Sequence, residues 1–340
     1  MKNIFSLKYD ELEAFLVTLG EKKYRTKQIY EWLYQHKVFA FSEMSNLSKE
    51  SVDRLSNNLS NEFIKIKEVQ ASSKTSKYLF ELSDNNYIEA VLMRHDYGNS
   101  LCVSSQVGCN MGCEFCESGR LKKVRDLSAD EMVQQVLLIE MAIGERVDSV
   151  VIMGIGEPLD NYDNVLSFIR IINSPFGLAI GARHITLSTC GIIPKIEKLA
   201  EEELQVNLAI SLHAPNDELR NKLMRINQVY SIPALINALK AYTAKTNRRI
   251  TIEYVMLMYI NDSEELAGEL AKLIKGMNVY VNLIPYNETS HLDFKKSNAE
   301  RIQRFYNILK EARIDVTIRR EFGGSIDAAC GQLRSERSEK

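Results

Sequence analysis

Three cysteines fall within eight residues of the sequence, at Cys109, Cys113 and Cys116. Their C-x3-C-x2-C spacing places three thiols on one short loop, and three thiolates can hold three irons of a [4Fe–4S] cluster. Because the loop carries no fourth cysteine, one iron is left without a protein ligand and can bind a small molecule. The spacing therefore predicts an iron–sulfur cluster with one open iron.

A zinc site with three cysteines and one histidine is the alternative use of these thiols. No histidine lies between Cys116 and His184, and the nearest upstream one, His95, lies across a predicted strand. Buried thiols without a ligand are a poor explanation for cysteines this close together. The iron–sulfur cluster is therefore the favoured prediction.

From residue 99 onward, apolar segments alternate between strand and helix patterns, and these elements must position the cysteine loop. The predicted strands are Ser100–Ser105, Ser149–Met153, His184–Ser188, Val206–Ser211, Ile250–Met256, Val279–Ile284 and Val316–Ile318. The predicted helices are Ala129–Ile143, Tyr162–Ile172, Ile193–Ala200, Ile232–Ala244, Glu264–Ile274 and Ala299–Ala312. Repeated βα units predict an α/β fold, with a parallel sheet or barrel covered by helices. Active sites of such folds lie at the C-terminal ends of the strands, and the cysteine loop closely follows the first strand.

The first 98 residues do not follow this repeat. Helical patterns predict a small N-terminal unit over residues 1–65, with helices at Tyr9–Leu19, Thr26–Gln35 and Ser48–Leu59. Two strand patterns around a turn-prone tripeptide predict a β-hairpin in a linker over residues 66–98, with strands Tyr78–Leu82 and Tyr87–Met93. The α/β domain then covers residues 99–334, and residues 335–340 form a charged tail.

Composition limits the classes of protein that these elements can form. Of the 340 residues, 26% are charged and 45% are hydrophobic, which is typical of a globular protein. No apolar run reaches the roughly 18 residues of a membrane span, and the N-terminus lacks the pattern of a signal peptide, so we expect a cytoplasmic protein with no membrane partner. In a reducing cytosol, the six cysteines do not form a disulfide framework. The net charge of −2 means that any cations for a nucleic acid must be local.

The cysteine loop and motifs outside it together resemble one family. C-x3-C-x-aromatic-C after the first strand of a βα domain resembles the radical S-adenosylmethionine (SAM) superfamily. Motifs along nearly the whole chain resemble the RlmN/Cfr family of RNA adenine methyltransferases: Leu101-Cys102-Val-Ser-Ser-Gln-Val-Gly-Cys109, Met153-Gly-Ile-Gly-Glu157-Pro158-Leu159, Leu187-Ser188-Thr-Cys-Gly191, Ser211-Leu212-His213 and Ile326-Asp-Ala-Ala-Cys330-Gly-Gln-Leu333. The resemblance implies a partial (β/α) barrel of the radical SAM type. It also implies a [4Fe–4S] cluster whose open iron is chelated by SAM, which is cleaved to a 5′-deoxyadenosyl radical.

The resemblance also implies roles for individual residues. Cys109, Cys113 and Cys116 match the cluster ligands. The positions that match SAM contacts are Gly156, Glu157, Ser188, Ser211, Leu212, His213 and Asn287. Cys330 matches the cysteine that carries the methyl group, Cys102 the cysteine that releases the product by forming a disulfide with Cys330, and Glu89 a proton acceptor. Cys190 matches no family role, and we expect it in the core.

The implied partners are RNA and an electron donor such as flavodoxin or ferredoxin. The expected product is 2-methyladenosine in 23S rRNA, and the resemblance leaves open whether tRNA is a second substrate. The alternatives are C8 methylation of the same rRNA adenine, which confers antibiotic resistance, and a zinc-stabilised RNA-binding protein without catalysis. Candidate RNA contacts are the basic run Arg120-Leu-Lys122-Lys123-Val-Arg125, the pair Arg319-Arg320 and the helical N-terminal unit.

Overall fold

The N-terminal unit is helical and is closed by two short strands that pair in parallel. The structure is a computed structural model and describes residues 1–289 and 291–319. The unit contains β1 (Lys2–Asn3), α1 (Tyr9–Thr18), α2 (Tyr24–Tyr30), a π-helical segment (Glu31–Gln35), α3 (Lys49–Asn58) and β2 (Leu59–Ser60). The three predicted helices are confirmed, although the second changes to π-helix after Tyr30. The Ser48 hydroxyl caps α3 by accepting a hydrogen bond from the Ser51 N–H at 3.1 Å.

A three-stranded antiparallel meander follows this unit. Its strands are β3 (Lys65–Ala71), β4 (Thr75–Glu81) and β5 (Tyr87–His95). The predicted hairpin corresponds to β4 and β5, whereas β3 was not predicted. Nearly all of β3 is exposed, so it lacks the apolar alternation that marks a half-buried strand. β5 also pairs with β6 (Gly98–Val103), which makes the meander continuous with the main sheet.

The main sheet consists of strands that alternate with helices along the chain. After β6 come β7 (Gln106–Val107), β8 (Arg125–Asp126), α4 (Ala129–Ile143), β9 (Ser149–Ile152), α5 (Tyr162–Asn173), β10 (Ile185–Thr189), α6 (Ile193–Leu199), β11 (Asn207–Ser211), α7 (Asp217–Leu223), α8 (Ile232–Thr246), β12 (Ile250–Met256), α9 (Glu264–Leu273), β13 (Val279–Pro285), α10 (Ala299–Glu311) and β14 (Asp315–Ile318). Within the described residues, β6, β9, β10, β11, β12, β13 and β14 pair in parallel in that order. The predicted α/β fold is confirmed. The short, mostly polar helix α7 was not predicted, because seven residues carry little apolar periodicity.

Parallel pairing places the C-terminal ends of these strands at one edge of the sheet, where their loops meet. Buried side chains of the strands and helices form a core that is continuous with that of the N-terminal unit. The Tyr9 and Phe176 rings stack across this junction with centroids 4.5 Å apart, and Lys37 forms an ion pair with Glu140 at 3.0 Å. No helix in the described part of the chain is long and apolar enough to cross a membrane.

Candidate functional site

The three clustered cysteines lie on the loop between β7 and β8, here called the cluster loop (residues 108–124). β7 and β8 pair with each other and close the loop at its base. The Cys109 N–H donates to the Leu121 carbonyl oxygen at 3.0 Å, and the Cys116 N–H donates to the Cys113 carbonyl oxygen at 3.2 Å. A Cβ atom added at Gly119 would lie 2.6 Å from the Cys113 carbonyl oxygen. Hydrogen bonds and close packing therefore define the path of the loop.

The chemistry of the three thiols fits an iron–sulfur cluster. Loss of solvent raises the pKa of Cys109 to about 12, and together with the neighbouring thiols it raises the pKa of Cys113 well above its ordinary value. Thiols in this position therefore need a bound, thiolate-preferring metal to ionise together. Among the described residues, no set of three or more His, Cys, Asp or Glu side chains converges closely enough to hold a single metal ion. Three thiolates on one short loop can hold three irons of a [4Fe–4S] cluster, which fits the cysteines present.

The three thiols line one pocket at the C-terminal ends of the strands. The pocket holds about 910 Å³ of space free of protein atoms, including its mouth, which is open to solvent. Six of the seven predicted SAM contacts line the same pocket: Gly156, Glu157, Ser188, Ser211, His213 and Asn287. The seventh, Leu212, has a fully buried side chain in the main core and does not line the pocket.

Glu157 is a buried carboxylate that backbone groups hold in place. Its Oε1 accepts a hydrogen bond from the Leu159 N–H at 3.0 Å, and its Oε2 accepts one from the Cys190 N–H at 2.8 Å. Burial raises the pKa of Glu157, and the hydrogen bonds from Cys190 oppose this shift. Gly156 has a φ of +108°, and a Cβ there would lie 2.6 Å from the Gln106 Cβ. A carboxylate fixed in this way at a pocket wall is suited to bind an ammonium group such as that of SAM.

His213 is a neutral imidazole in the pocket wall. Its Nδ1 accepts a hydrogen bond from the Val255 N–H at 3.0 Å, and its ring meets Phe115 edge-on with centroids 4.8 Å apart. Burial, with a smaller contribution from Arg220, lowers the pKa of His213 to about 3. Because Nδ1 accepts a hydrogen bond, the ring proton is assigned to Nε2, which leaves His213 as a hydrogen-bond donor toward a ligand.

The low pKa of His213 predicts how stability depends on pH. Between its ordinary pKa of 6.5 and its folded value of about 3, the unfolded ring binds a proton that the folded ring does not. Stability therefore falls as the pH decreases through this window. As the pH is lowered from 6.5 to roughly 5, we expect the free energy of unfolding to fall less in a His213→Asn variant than in the wild type. The two pH slopes should differ by up to about 1.4 kcal/mol per pH unit. Urea denaturation at several pH values measures this, and identical pH slopes for the two proteins would contradict it.

Cys102 and Glu89 lie on one face of the sheet, next to the pocket. Cys102 pairs with Val91 of β5, and both pack in a small apolar cluster that is contacted by Met153, a residue of the pocket wall. Glu89 is two residues before Val91 and so lies on the same face of β5. Only 3% of Glu89 is exposed, and its Oε1 lies 3.3 Å from the Lys77 Nζ. The structure thus places a buried carboxylate and a thiol on one surface beside the pocket.

The remaining candidates are Cys330 and the cations of the basic run. Cys330, the predicted methyl carrier, lies outside the described residues. In the basic run after the cluster cysteines, Arg125 forms an ion pair with Glu131 at 2.8 Å, and Lys123 forms one with Asp160 at 2.7 Å. These two cations therefore hold the base of the cluster loop, a structural role that the sequence did not predict.

Two further residues of the pocket wall have no role in the sequence analysis. Cys190 is buried, as expected, but it also lines the pocket. Glu253 is buried in the wall and accepts a hydrogen bond from the Asn282 amide at 2.9 Å. A lone charge in the otherwise apolar or hydroxyl-bearing strand Ile250–Met256 is the sequence signal that marks Glu253.

Comparison with known proteins identifies the family. The model of the radical SAM superfamily matches residues 103–271, and the model of the ribosomal RNA large subunit methyltransferase N-terminal domain matches residues 2–60. A curated relative from Acholeplasma laidlawii, named "Probable dual-specificity RNA methyltransferase RlmN", is 54% identical over 98% of this chain and 99% of its own length. One from Enterococcus faecalis with the same name is 52% identical over 100% of this chain and 98% of its own length.

A solved structure agrees with these matches. The crystal structure of a radical SAM methyltransferase from Sphaerobacter thermophilus superposes with a TM-score of 0.93 at 40% identity, and the match covers 98% of this chain and 99% of that one. Streptococcus suis SuiB bound to S-adenosylmethionine, at 18% identity, has a TM-score of 0.50 over 68% of this chain and 55% of its own, and shows the shared fold alone. The chain therefore belongs to the RlmN family of radical SAM enzymes, which are SAM-dependent RNA methyltransferases that use a [4Fe–4S] cluster.

Proposed function

We propose that this enzyme methylates C2 of an adenine in 23S rRNA, and also in tRNA, through a methyl group carried on Cys330. The main support is that one pocket unites the three cluster cysteines with six predicted SAM contacts, beside the face that bears Cys102 and Glu89. The matched N-terminal model is named for large-subunit rRNA methyltransferases, and the curated relatives are named for dual specificity. Both names favour rRNA together with a second RNA substrate.

The need for a cysteine carrier follows from the chemistry of the target. Adenine C2 is electron-poor and does not attack the methyl group of SAM directly. A thiolate is a strong nucleophile, so Cys330 takes the methyl group from one SAM by displacement. When bound, the cluster and a second SAM supply the radical that abstracts a hydrogen atom from this methyl group. The resulting carbon radical on Cys330 then bonds to C2 of the adenine.

Glu89 and Cys102 complete the reaction in this proposal. The adduct loses the C2 proton to Glu89, whose Oε1 lies 3.3 Å from the Lys77 Nζ. The surplus electron of the adduct would return to the cluster, which supplies one electron for the cleavage of SAM. The Cys102 thiolate then attacks the Cys330 sulfur. The sulfur–carbon bond breaks, its electron pair passes to the RNA carbon, and a proton completes the methyl group. The Cys102–Cys330 disulfide that remains requires an external thiol reductant.

The N-terminal unit, residues 1–65, is the proposed RNA-docking module. The other proposed parts are the hairpin linker (66–98), the radical SAM domain (99–334) and the charged tail (335–340). On the surface of the N-terminal unit, Tyr24 is 53% exposed, and the Arg25 guanidinium lies 5.2 Å from the centroid of its ring. Flat rings and cations of this kind suit unstacked bases and phosphates. We further propose flavodoxin or ferredoxin as the electron donor and the cytoplasm as the compartment of action.

Nucleoside analysis of cellular RNA tests the proposed product. The gene is expressed in a host that lacks its own enzyme of this family, and rRNA and tRNA are digested and analysed separately by mass spectrometry. We expect 2-methyladenosine in both pools, and none in a host carrying the empty vector. 8-Methyladenosine in rRNA would instead establish the C8 alternative. If rRNA contains neither methylated adenine, the rRNA assignment is refuted. If 2-methyladenosine is found in rRNA but not in tRNA, the tRNA part is refuted.

A further inference from the structure

Arg220 is a fully buried arginine in α7, and in the described part of the chain its guanidinium donates hydrogen bonds to neutral oxygens. Its exposed fraction is 0%. The Nη2 group donates to the Cys190 carbonyl oxygen at 2.7 Å and to the Ser211 carbonyl oxygen at 3.2 Å. The Nε group donates to the Leu212 carbonyl oxygen at 3.2 Å, and Nη1 donates to the Asn227 Oδ1 at 3.0 Å. One guanidinium thus connects the C-terminal ends of strands β10 and β11, which carry predicted SAM contacts.

The positive charge of Arg220 has no direct carboxylate partner among the described residues. The carboxylate of Asp217 is reached only through Asn227, whose Nδ2 donates to the Asp217 Oδ1 at 2.9 Å. A guanidinium remains protonated in proteins, even where burial lowers the pKa of Arg220 as it does here. Burying a cation without a carboxylate contact is unfavourable unless another negative charge lies close by.

The iron–sulfur cluster, when bound in the pocket, would supply such a negative charge. Arg220 lies directly behind the pocket wall, since it donates hydrogen bonds to the carbonyl oxygens of Cys190 and Ser211, which line the pocket. A [4Fe–4S] cluster held by three thiolates carries net negative charge, and reduction adds one more negative charge.

The segment that carries Arg220 also supports the cluster loop. Met224, just after α7, pairs with Cys113 in an isolated β-bridge. The Glu114 N–H donates to the Leu223 carbonyl oxygen at 3.0 Å. Arg220 therefore sits on a short segment with one side against the cluster loop and the other against the SAM-binding strand ends.

We propose that Arg220 is a positioning residue that holds the SAM-binding strand ends and, through its buried positive charge, favours the reduced state of the cluster. This inference depends on the family's use of a cluster and SAM, and it is independent of which RNA carbon is methylated. The charge acts through space and through the Cys190 backbone, whose N–H holds Glu157.

Two substitutions separate the charge of Arg220 from its hydrogen bonds. Arg220→Gln removes the charge and keeps N–H donors for some of the carbonyl groups. Arg220→Lys keeps the charge but loses the planar guanidinium that bonds several carbonyl groups at once. Arg225→Gln is the matched control, because Arg225 lies on the same segment but is exposed and paired with Glu114 at 3.1 Å. For each reconstituted protein we would measure the iron content, the midpoint potential of the cluster without SAM, and SAM affinity by calorimetry.

The proposal predicts a distinct result for each variant. Arg220→Gln should shift the midpoint potential to a more negative value and weaken SAM binding by about tenfold. Arg220→Lys should keep the potential near that of the wild type, and Arg225→Gln should change neither quantity appreciably because water screens its charge. Wild-type potential in an iron-loaded Arg220→Gln protein, or equal shifts in both Arg220 variants, would overturn the role of the charge. If the Gln variant does not fold, the Lys variant decides: an unchanged potential supports the proposal, and a negative shift overturns it.

Discussion

Replacing Cys113 with alanine is expected to remove the iron–sulfur cluster and to reduce RNA methylation to background. Cys113 is the middle thiol of the cluster loop, lines the proposed SAM pocket and is fixed by its bridge to Met224. With two thiolates left, the loop cannot hold three irons, so no open iron remains to bind SAM. Iron and sulfide analysis of anaerobically purified protein, its visible absorbance and a methylation assay with RNA transcripts measure the effect.

Cys190→Ala is the control for this experiment. Cys190 lines the same pocket and is also buried, but it lies outside the C-x3-C-x2-C motif. We therefore expect the Cys190 variant to retain its iron, its colour and measurable methylation. A Cys113→Ala protein with a full cluster, or a Cys190→Ala protein that fails to assemble one, would contradict the assignment of the ligands.

Replacing Cys330 with alanine is expected to abolish product formation while the cluster and SAM binding remain intact. Cys330 is the proposed nucleophile that accepts the methyl group, and it is not a cluster ligand. Without its sulfur, the protein has no site for the methyl group, so intact-protein mass spectrometry should show no methyl adduct after incubation with SAM. Normal methylated adenine from this variant would refute the proposed mechanism.

Cys102→Ala provides the matched comparison, since it removes the other proposed catalytic thiol. This variant should still accept the methyl group on Cys330 and bond to RNA, but it has no thiolate to break the sulfur–carbon bond. A covalent protein–RNA adduct should therefore accumulate, visible as a shifted band on a denaturing gel that ribonuclease treatment removes. The double variant with both alanines should form no adduct. Free product from Cys102→Ala at the wild-type rate would exclude Cys102 from product release.

Local apolar patterns specify some elements of this fold and not others. The helix Ala129–Ile143 and the strand Ile250–Met256 have the predicted bounds, because both carry long apolar patterns. The edge strand Lys65–Ala71 and the short helix Asp217–Leu223 were not predicted. These two elements depend on neighbours along the sheet and below the pocket, not on their own apolar periodicity.

The same distinction applies to the site. The spacing of Cys109, Cys113 and Cys116 is local and predicted the cluster, whereas the SAM contacts around Glu157 were implied by the family resemblance. The burial of Glu89 against Lys77 and the contact of Glu157 with Cys190 involve separate strands or loops. Such pairs have no signature in a single sequence, since their partners are brought together only by packing.

By itself, the sequence determined the class of chemistry, because cluster ligation depends on residue type and short-range spacing. It also determined the succession of strands and helices, which follows from local apolar periodicity. The tertiary structure alone decided which charges are buried and what faces them. These are a neutral His213, a Glu157 held by backbone N–H groups, and an Arg220 that donates to backbone carbonyl groups behind the pocket wall. The reason is physical, since the energy of a charge depends on the solvent that folding removes from it and on the groups, distant in sequence, that folding brings against it.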